Sequence, residues 1–402
     1  MAAMLPLEGL TVLDLTRVLS GPYCTMMLAD MGARVIKIER PGRGDDTRAW
    51  GPPFLAGEST YFLSVNRTKE SVALDFKHPG GRALLDQLIA RADVLVENFH
   101  PGTLEAMGLG YAALSPRYPR LVYCLITGFG LTGPGRDRPG YDAVVQAEGG
   151  LMSLTGPGDG DPYRLGVAIA DMAAGMFAAQ GIALALLVRE RTGQGQLVDI
   201  GMLDSVAALL TYQAGIYFAT GQVPHRMGNR HPSIAPYDTF AAEDGTLVLA
   251  VGNDQQWIRF CQLTGLTSCE ADPAYATNAG RVDRYEILRP QIARVIRTRS
   301  RQEWIDRLVP AGVPCAAVRG IDEVMADPQL LARGMVQPVE HPSAGSLRQL
   351  GVPIKLSATP ARAAVAPPRL GEHTAQVLTE LLGVTPDEVT RLERDGVVGV
   401  QH

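Results

Sequence analysis

Over its first 130 residues the chain alternates two hydrophobic rhythms. Short apolar runs that suit strands (LTVLDLT, ARVIKIE, SVALDF, DVLVENF and RLVYCLITGFG) are separated by helical spacing through CTMMLADMG and GRALLDQLIARA. Strands linked by helical crossovers predict a parallel sheet covered by helices, so the expected class is α/β with a doubly wound sheet in a large domain. Two stretches, 130–140 (GLTGPGRDRPG) and 155–164 (TGPGDGDPYR), are too rich in Gly and Pro for regular structure. Beyond them QLVDIGMLDSVAALL reads as a further strand and helix. From about residue 226 the texture changes, and DTFAAEDGTLVLAVG predicts a hairpin with Asp244-Gly245 at its turn, followed by Arg-rich helices. The pattern divides the chain into a large domain over 1–225, a smaller α+β domain inserted over 226–325, and a return to the large domain over 326–402 with a last helix near 375–394.

One apolar run, 165–188, holds a single charged side chain, Asp171, where a strand-like segment passes into a helix-like one. An unpaired buried carboxylate costs several kcal/mol or more, so the group must be neutralised, hydrogen-bonded or used chemically. Two readings follow: a nucleophile or base in a dry pocket, or an N-cap worth about 1 kcal/mol to the helix after it. The run is long enough for a membrane span of about 20 residues, but Asp171, Gln180 and its glycines interrupt it. Its small residues, such as Ala173, Ala174, Gly175 and Ala178, predict instead a buried helix in close contact with its neighbours.

Length and composition narrow the classes. A chain of 402 residues exceeds one simple core, and 46% hydrophobic with 20% charged residues is ordinary for a folded soluble protein. A net charge of -5 without a basic stripe argues against a nucleic-acid partner, and no charge run suggests a membrane surface. Five scattered cysteines without a CxxC pair fit reduced thiols in the cytoplasm, and MAAMLPLEG has neither signal-peptide nor transit-peptide character. The histidines stand apart with no ligand spacing, so no metal is expected, and no GxSxG elbow is present. Glu39 closes ARVIKIE where a dinucleotide fold places its ribose-binding acid, but TRVLSGPYC carries one glycine, Gly21, where the pyrophosphate loop needs three. His231 lies in GNRHPSIAPYDTF, a Pro-flanked polar loop that reads either as a site or as an ordinary turn.

Several segments in order resemble the class III CoA-transferases, the formyl-CoA and carnitine CoA-transferase family, whose fold is shared by α-methylacyl-CoA racemases. They are LEGLTVLDLTRVLSGPYCTMMLADMGARVIKIERPGRGDDTR, ADVLVENFHPGTLEAMGL, ITGFGLTGP, YDAVVQAEGGLMSLTG, TGQGQLVDIGMLDS and PPRLGEHT, spread over nearly the whole chain. The resemblance implies a homodimer of interlocked chains, and it places the catalytic aspartate on Asp171 in VAIADMAAG. The implied chemistry is covalent exchange with a coenzyme A thioester as substrate and no permanently bound cofactor. Asp171 attacks an acyl-CoA to give a mixed anhydride, and the released thiolate converts this to an aspartyl-CoA thioester, which a second acid resolves. The helix N-terminus is expected to keep the carboxylate ionised for attack.

For CoA, the resemblance implies contacts at Val18, Leu19 and Ser20, at Arg40, at Leu74 and Lys77, and at Asn98, Phe99 and His100. Arg40 and Lys77 suit phosphate. A basic residue that some members use after ENFHP is here Ala106, with Arg136 or Arg138 as possible substitutes. The related racemases place a His base in a GHD segment; this chain has Gly140-Tyr141-Asp142, and a tyrosine is a poor base at neutral pH. That favours transfer, with Tyr141 on the reacting carbonyl and Asp142 assisting. The loop GNRHPSIAPYDTF is similar to that of transferases acting on dicarboxylates, with Arg230, His231 and Tyr237 toward a distal carboxylate. The expected function is transfer of CoA from an acyl-CoA, taken as succinyl-CoA, to a carboxylic acid. The alternatives are an α-methylacyl-CoA racemase and a CoA-binding protein without activity.

Overall fold

The computed structural model describes residues 4–401. Six parallel strands form the main sheet: β1 (Thr11–Asp14), β2 (Arg34–Glu39), β3 (Lys69–Leu74), β4 (Val94–Glu97), β5 (Val122–Thr127) and β6 (Leu197–Gly201). Their spatial order is β3-β2-β1-β4-β5-β6, and the short strand Val398–Gly399 adds antiparallel to the outer edge of β3. Successive residues serve opposite faces. Val12, Val94, Val96, Val122 and Cys124 pack on one side, while Leu13, Leu95, Tyr123 and Leu125 pack on the other. Burial on both faces is what makes these strands read as continuous apolar runs.

One face is covered by α1 (Ser20–Asp30) and α3 (Ile169–Thr192), the other by Pro79–Ile89 and the C-terminal helix Thr374–Leu382. A further short helix, α2 (Asp142–Glu148), packs against α3. Gly175 allows the close approach of α3 to α1, since a Cβ there would lie 2.6 Å from the Ser20 carbonyl oxygen. Among the described residues α3 alone is long and apolar enough to cross a bilayer. Its inward residues Ala170, Ala174, Ala178, Ile182 and Ala185 join the core. Met176, Phe177, Leu184, Leu187 and Val188 are exposed on its other face.

The chain divides into two compact units. The smaller comprises Met152–Arg164 and Gln213–Asp327; the larger takes the other described residues. The smaller unit thus begins before residue 226 and takes in the Gly/Pro-rich stretch 155–164. The reason is local: Arg226 donates to the carbonyls of Pro157 and Gly160, and Gly228 N–H donates to Gly156. Its core gathers Trp257, Phe260, Trp304 and Leu308 against the strands Tyr237–Ala242, Gly245–Ala250 and Cys315–Ala317.

Three local expectations are corrected. The hairpin turn is Glu243-Asp244, because Gly245 pairs with Ala242 and opens the second strand. The last helix is two helices, Thr374–Leu382 and Pro386–Arg394. Gly383 ends the first in a left-handed conformation, and Thr385 starts the second through a capping box with Glu388. No strand leads directly into Asp171; the segment just before it is irregular and α3 opens at Ile169. The five cysteines are all free, and Cys24, Cys124, Cys261 and Cys269 are buried.

Candidate active site

In an open α/β sheet the crevice lies beyond the carboxyl ends of the strands where the order reverses, here between β1 and β4. A cleft of about 280 Å³ opens at that point. The loop after β1 supplies Arg17, Val18 and Ser20, the loop after β4 supplies Asn98, Phe99 and His100, and the end of β5 supplies Thr127 and Gly128. Arg138, Tyr141, Asp142 and Asp171 complete the polar wall. Tyr141 and Asp142 reach it because two glycines touch: a Cβ on Gly140 would meet the Gly128 Cα at 2.3 Å. A bulkier residue at either position would push the 138–142 segment off the sheet.

Asp171 is the third residue of α3, and the N-cap is Ala168, without a side-chain cap bond. The capping role is therefore unfilled by Asp171, whose carboxylate faces the cleft and accepts a hydrogen bond from Ser20. Burial and the neighbouring Asp142 charge push Asp171 up to about 7, against the opposing pull of Ser20. Desolvation and the like charge of Asp142 thus work against the ionised form that the helix N-terminus is expected to favour. Asp142 is itself held in place. Its Oδ1 accepts the Ala170 N–H at 2.9 Å and its Oδ2 accepts Gln146 Nε2 at 2.7 Å, while Gln146 Oε1 accepts the Leu165 N–H at 2.9 Å. This chain of bonds ties α2 to the entry of α3.

The loop after β1 is clamped almost atom by atom. Thr16 N–H donates to Asp14 at 2.9 Å and the Thr16 carbonyl accepts Lys37 Nζ at 2.8 Å. Asn98 accepts the Arg17 N–H at 2.9 Å and donates to the Arg17 carbonyl at 2.7 Å. Val18 N–H donates to Asp45 Oδ1 at 3.2 Å. These bonds hold Val18 at φ +69°, a left-handed conformation costly for a β-branched residue. Behind the loop Lys37 and Asp45 form a buried 2.9 Å pair. Burial opposes the Lys37 charge, but Asp45, Asp14 and Glu39 hold its value above the usual lysine range.

A second cleft, next to the first, is lined by Arg40, Leu74, Lys77 and Phe76, with Arg17, Asp46 and Phe99 common to both. The sequence reading thus converges on this region for Val18, Ser20, Arg40, Leu74, Lys77, Asn98, Phe99, His100, Tyr141, Asp142 and Asp171. Leu19 is the exception: it caps α1 with its side chain buried, and it lines neither cleft. Both ring nitrogens of His100 face carbonyl oxygens, of Asp137 and Pro101, which favours the doubly protonated ring and raises its value. Tyr141 is exposed at the cleft wall rather than buried. Glu39 does not present a free ribose-binding acid. It accepts two bonds from Arg48 at 2.7 Å, one from Ser71 at 2.7 Å and the Asp45 N–H at 2.9 Å.

Arg230, His231 and Tyr237 belong to the smaller unit. Arg230 pairs with Glu286 at 2.7 Å and lies over the Tyr285 ring. His231 and Tyr237 rings are 5.4 Å apart, His231 Nδ1 accepts the Ser233 N–H, and burial lowers the His231 value. Several residues at or behind the cleft escaped the sequence reading: Arg17, Lys37, Asp45, Gln146 and Tyr61. Burial and the charges of Asp171, Asp142 and Asp45 push the Tyr61 phenol up to about 12, so it stays a neutral donor. No spacing marks these side chains, because their partners are brought together by sheet order. Lys37 alone left a signal, a charge in the middle of the apolar strand ARVIKIE.

Residues 7–374 match CoA-transferase family III. The chain belongs to that family. Among relatives of this family III CoA-transferase is the succinyl-CoA:glutarate CoA-transferase of Mus musculus, 43% identical over 98% of this chain and 91% of that protein. The succinate–glutarate CoA-transferase of Agrobacterium fabrum is 43% identical over 94% of this chain and 96% of its own length. An acetyl-CoA:oxalate CoA-transferase of Acetobacter aceti is 41% identical over 88% of this chain and 89% of its own. The fold is similar to the crystal structure of a CAIB/BAIF family protein from Brucella suis, with a TM-score of 0.85 and 41% identity over 94% of this chain and 99% of that one.

Proposed function

We propose that this CoA-transferase moves CoA from succinyl-CoA to a carboxylic acid, a dicarboxylate by the character of its relatives, with Asp171 as nucleophile. The observation that carries the reading is the placement of Asp171: a carboxyl at the sheet's switch point, free of any capping duty, beside Ser20 and Asp142. A carboxylate whose proton affinity has been raised is a stronger nucleophile once ionised, and its anhydride preserves the activation of the acyl group. Attack forms a C–O bond to the thioester carbon and expels the CoA thiolate. That thiolate attacks the aspartyl carbonyl, releases succinate and leaves an aspartyl-CoA thioester. The acceptor carboxylate then repeats the two steps in reverse, restoring Asp171.

Arg40 and Lys77 form no ion pair among the described residues, which suits them to the phosphates of CoA in the second cleft. Tyr61 and Tyr141 offer hydroxyl donors to the reacting carbonyl. Arg230, His231 and Tyr237 are assigned to the distal carboxylate of a dicarboxylate acceptor; the names of the relatives support the acceptor class. The racemase alternative lacks its histidine, because Tyr141 stands where those enzymes carry the base. The exposed apolar face of α3 supports a homodimer, interlocked as in the family, and five free thiols support a cytoplasmic setting.

The test is intact and peptide mass spectrometry after incubation with succinyl-CoA in deuterated water. A CoA adduct on the peptide carrying Asp171, absent from Asp171→Ala together with turnover, is the expected result. Near-normal transfer by Asp171→Ala would refute the mechanism; deuterium at the α-carbon without adduct would favour isomerisation.

A further inference from the structure

Two clefts meet at one boundary, and only Arg17, Asp46 and Phe99 line both. A CoA thioester placing its nucleotide by Arg40 and Lys77 and its acyl carbon at Asp171 must cross that boundary. The part of CoA between its 3′-phosphoadenosine and its pantetheine is the diphosphate. At the crossing stands the Arg17 guanidinium. The Arg17 backbone is pinned on both sides by Asn98, at 2.9 and 2.7 Å, so the position of the side chain's root is fixed. Its guanidinium lies 5.2 Å from the Phe99 ring centroid, which limits its swing.

That guanidinium has a carboxylate partner within the chain. Nη1 meets Asp46 Oδ2 at 3.1 Å, and Asp46 Oδ1 faces Arg43 Nη2 at 3.6 Å. The Arg17 side chain is 42% exposed and that of Asp46 is 28% exposed. A pair as open to water as this one is weak and readily exchanged. A diphosphate carries more charge than one carboxylate and presents oxygens that a guanidinium fork matches in pairs. We propose that Arg17 binds the diphosphate of CoA in this enzyme, exchanging its pair with Asp46 for it. The proposal rests on the CoA-transferase reading above and assigns one residue within it.

Calorimetric titration of the full chain with CoA, and with dephospho-CoA, which lacks the 3′-phosphate but keeps the diphosphate, tests it. Arg17→Gln is expected to weaken both ligands by the same factor, tenfold or more, with Arg17→Lys recovering part of the loss. Asp46→Asn is expected to tighten both a few-fold, since it frees the guanidinium. Unchanged binding in Arg17→Gln overturns the proposal, as does a loss confined to CoA, which would put Arg17 on the 3′-phosphate. Should Arg17→Gln fail to fold, Asp46→Asn decides: unchanged or weaker binding overturns it. Absence of CoA binding to the wild-type protein would instead defeat the CoA reading itself.

Discussion

Asp171 shows how one residue's environment sets its chemistry. Burial and Asp142 hold it near 7, so transfer is expected to rise with pH as it ionises. Asp142→Asn removes the opposing charge and keeps an oxygen for the Ala170 N–H, so the rising limb should move to lower pH. The pH profile of kcat/KM for both proteins checks this; coincident limbs would refute it. The same raised value makes the ionised group a cost to folding. Below the ordinary carboxylate value Asp171 is protonated in both folded and unfolded chains and the cost vanishes; it grows as pH rises toward 7. At full ionisation it is on the order of 4 kcal/mol, taking about 1.4 kcal/mol per pH unit between the two values. The lone charge in an apolar run was legible from sequence. So was the burial that raises its proton affinity, whereas the like charge that adds to the shift was not, because Asp142 comes from another helix.

At the level of elements, the site depends on how closely α3 lies on α1. Ser20 opens α1 and donates to Asp171 in the first turn of α3, so the helix pair and the hydrogen bond share one contact. Gly175→Ala places a methyl 2.6 Å from the Ser20 carbonyl oxygen and must push the helices apart. The expected cost is about 1 to 3 kcal/mol in denaturant unfolding, with a fall in transfer rate beyond what the stability loss explains. Wild-type stability and rate in this variant would show the contact to be slack. The sequence pattern located both helices, α1 from the helical texture of CTMMLADMG and α3 from the small residues over 173–181. It misplaced the start of α3 and fused the two C-terminal helices, because apolar texture runs on through irregular backbone and weighs little against the stop at Gly383 and the cap at Thr385.

For the whole molecule, the exposed face of α3 is the feature that a single chain leaves unexplained. Met176, Phe177, Leu184, Leu187 and Val188 lie on one side of a helix whose other side is core. Apolar surface of this continuity is covered in most folded proteins, and a second copy is the occupant proposed above. Leu184→Glu puts a charge in its centre. Sedimentation should find the wild-type protein as a dimer and this variant as a monomer; an unchanged distribution would move the interface elsewhere. By itself the sequence determined the α/β class, the parallel strands and the lone aspartate, because strand burial, helix period and the cost of an unpaired charge are written in local order. Only the tertiary structure decided which groups face Asp171, how Arg17 comes to stand between two clefts and why Asn98 grips a backbone 81 residues away. Those relations follow from the reversal of strand order at β1 and β4, which brings together loops that no local spacing connects.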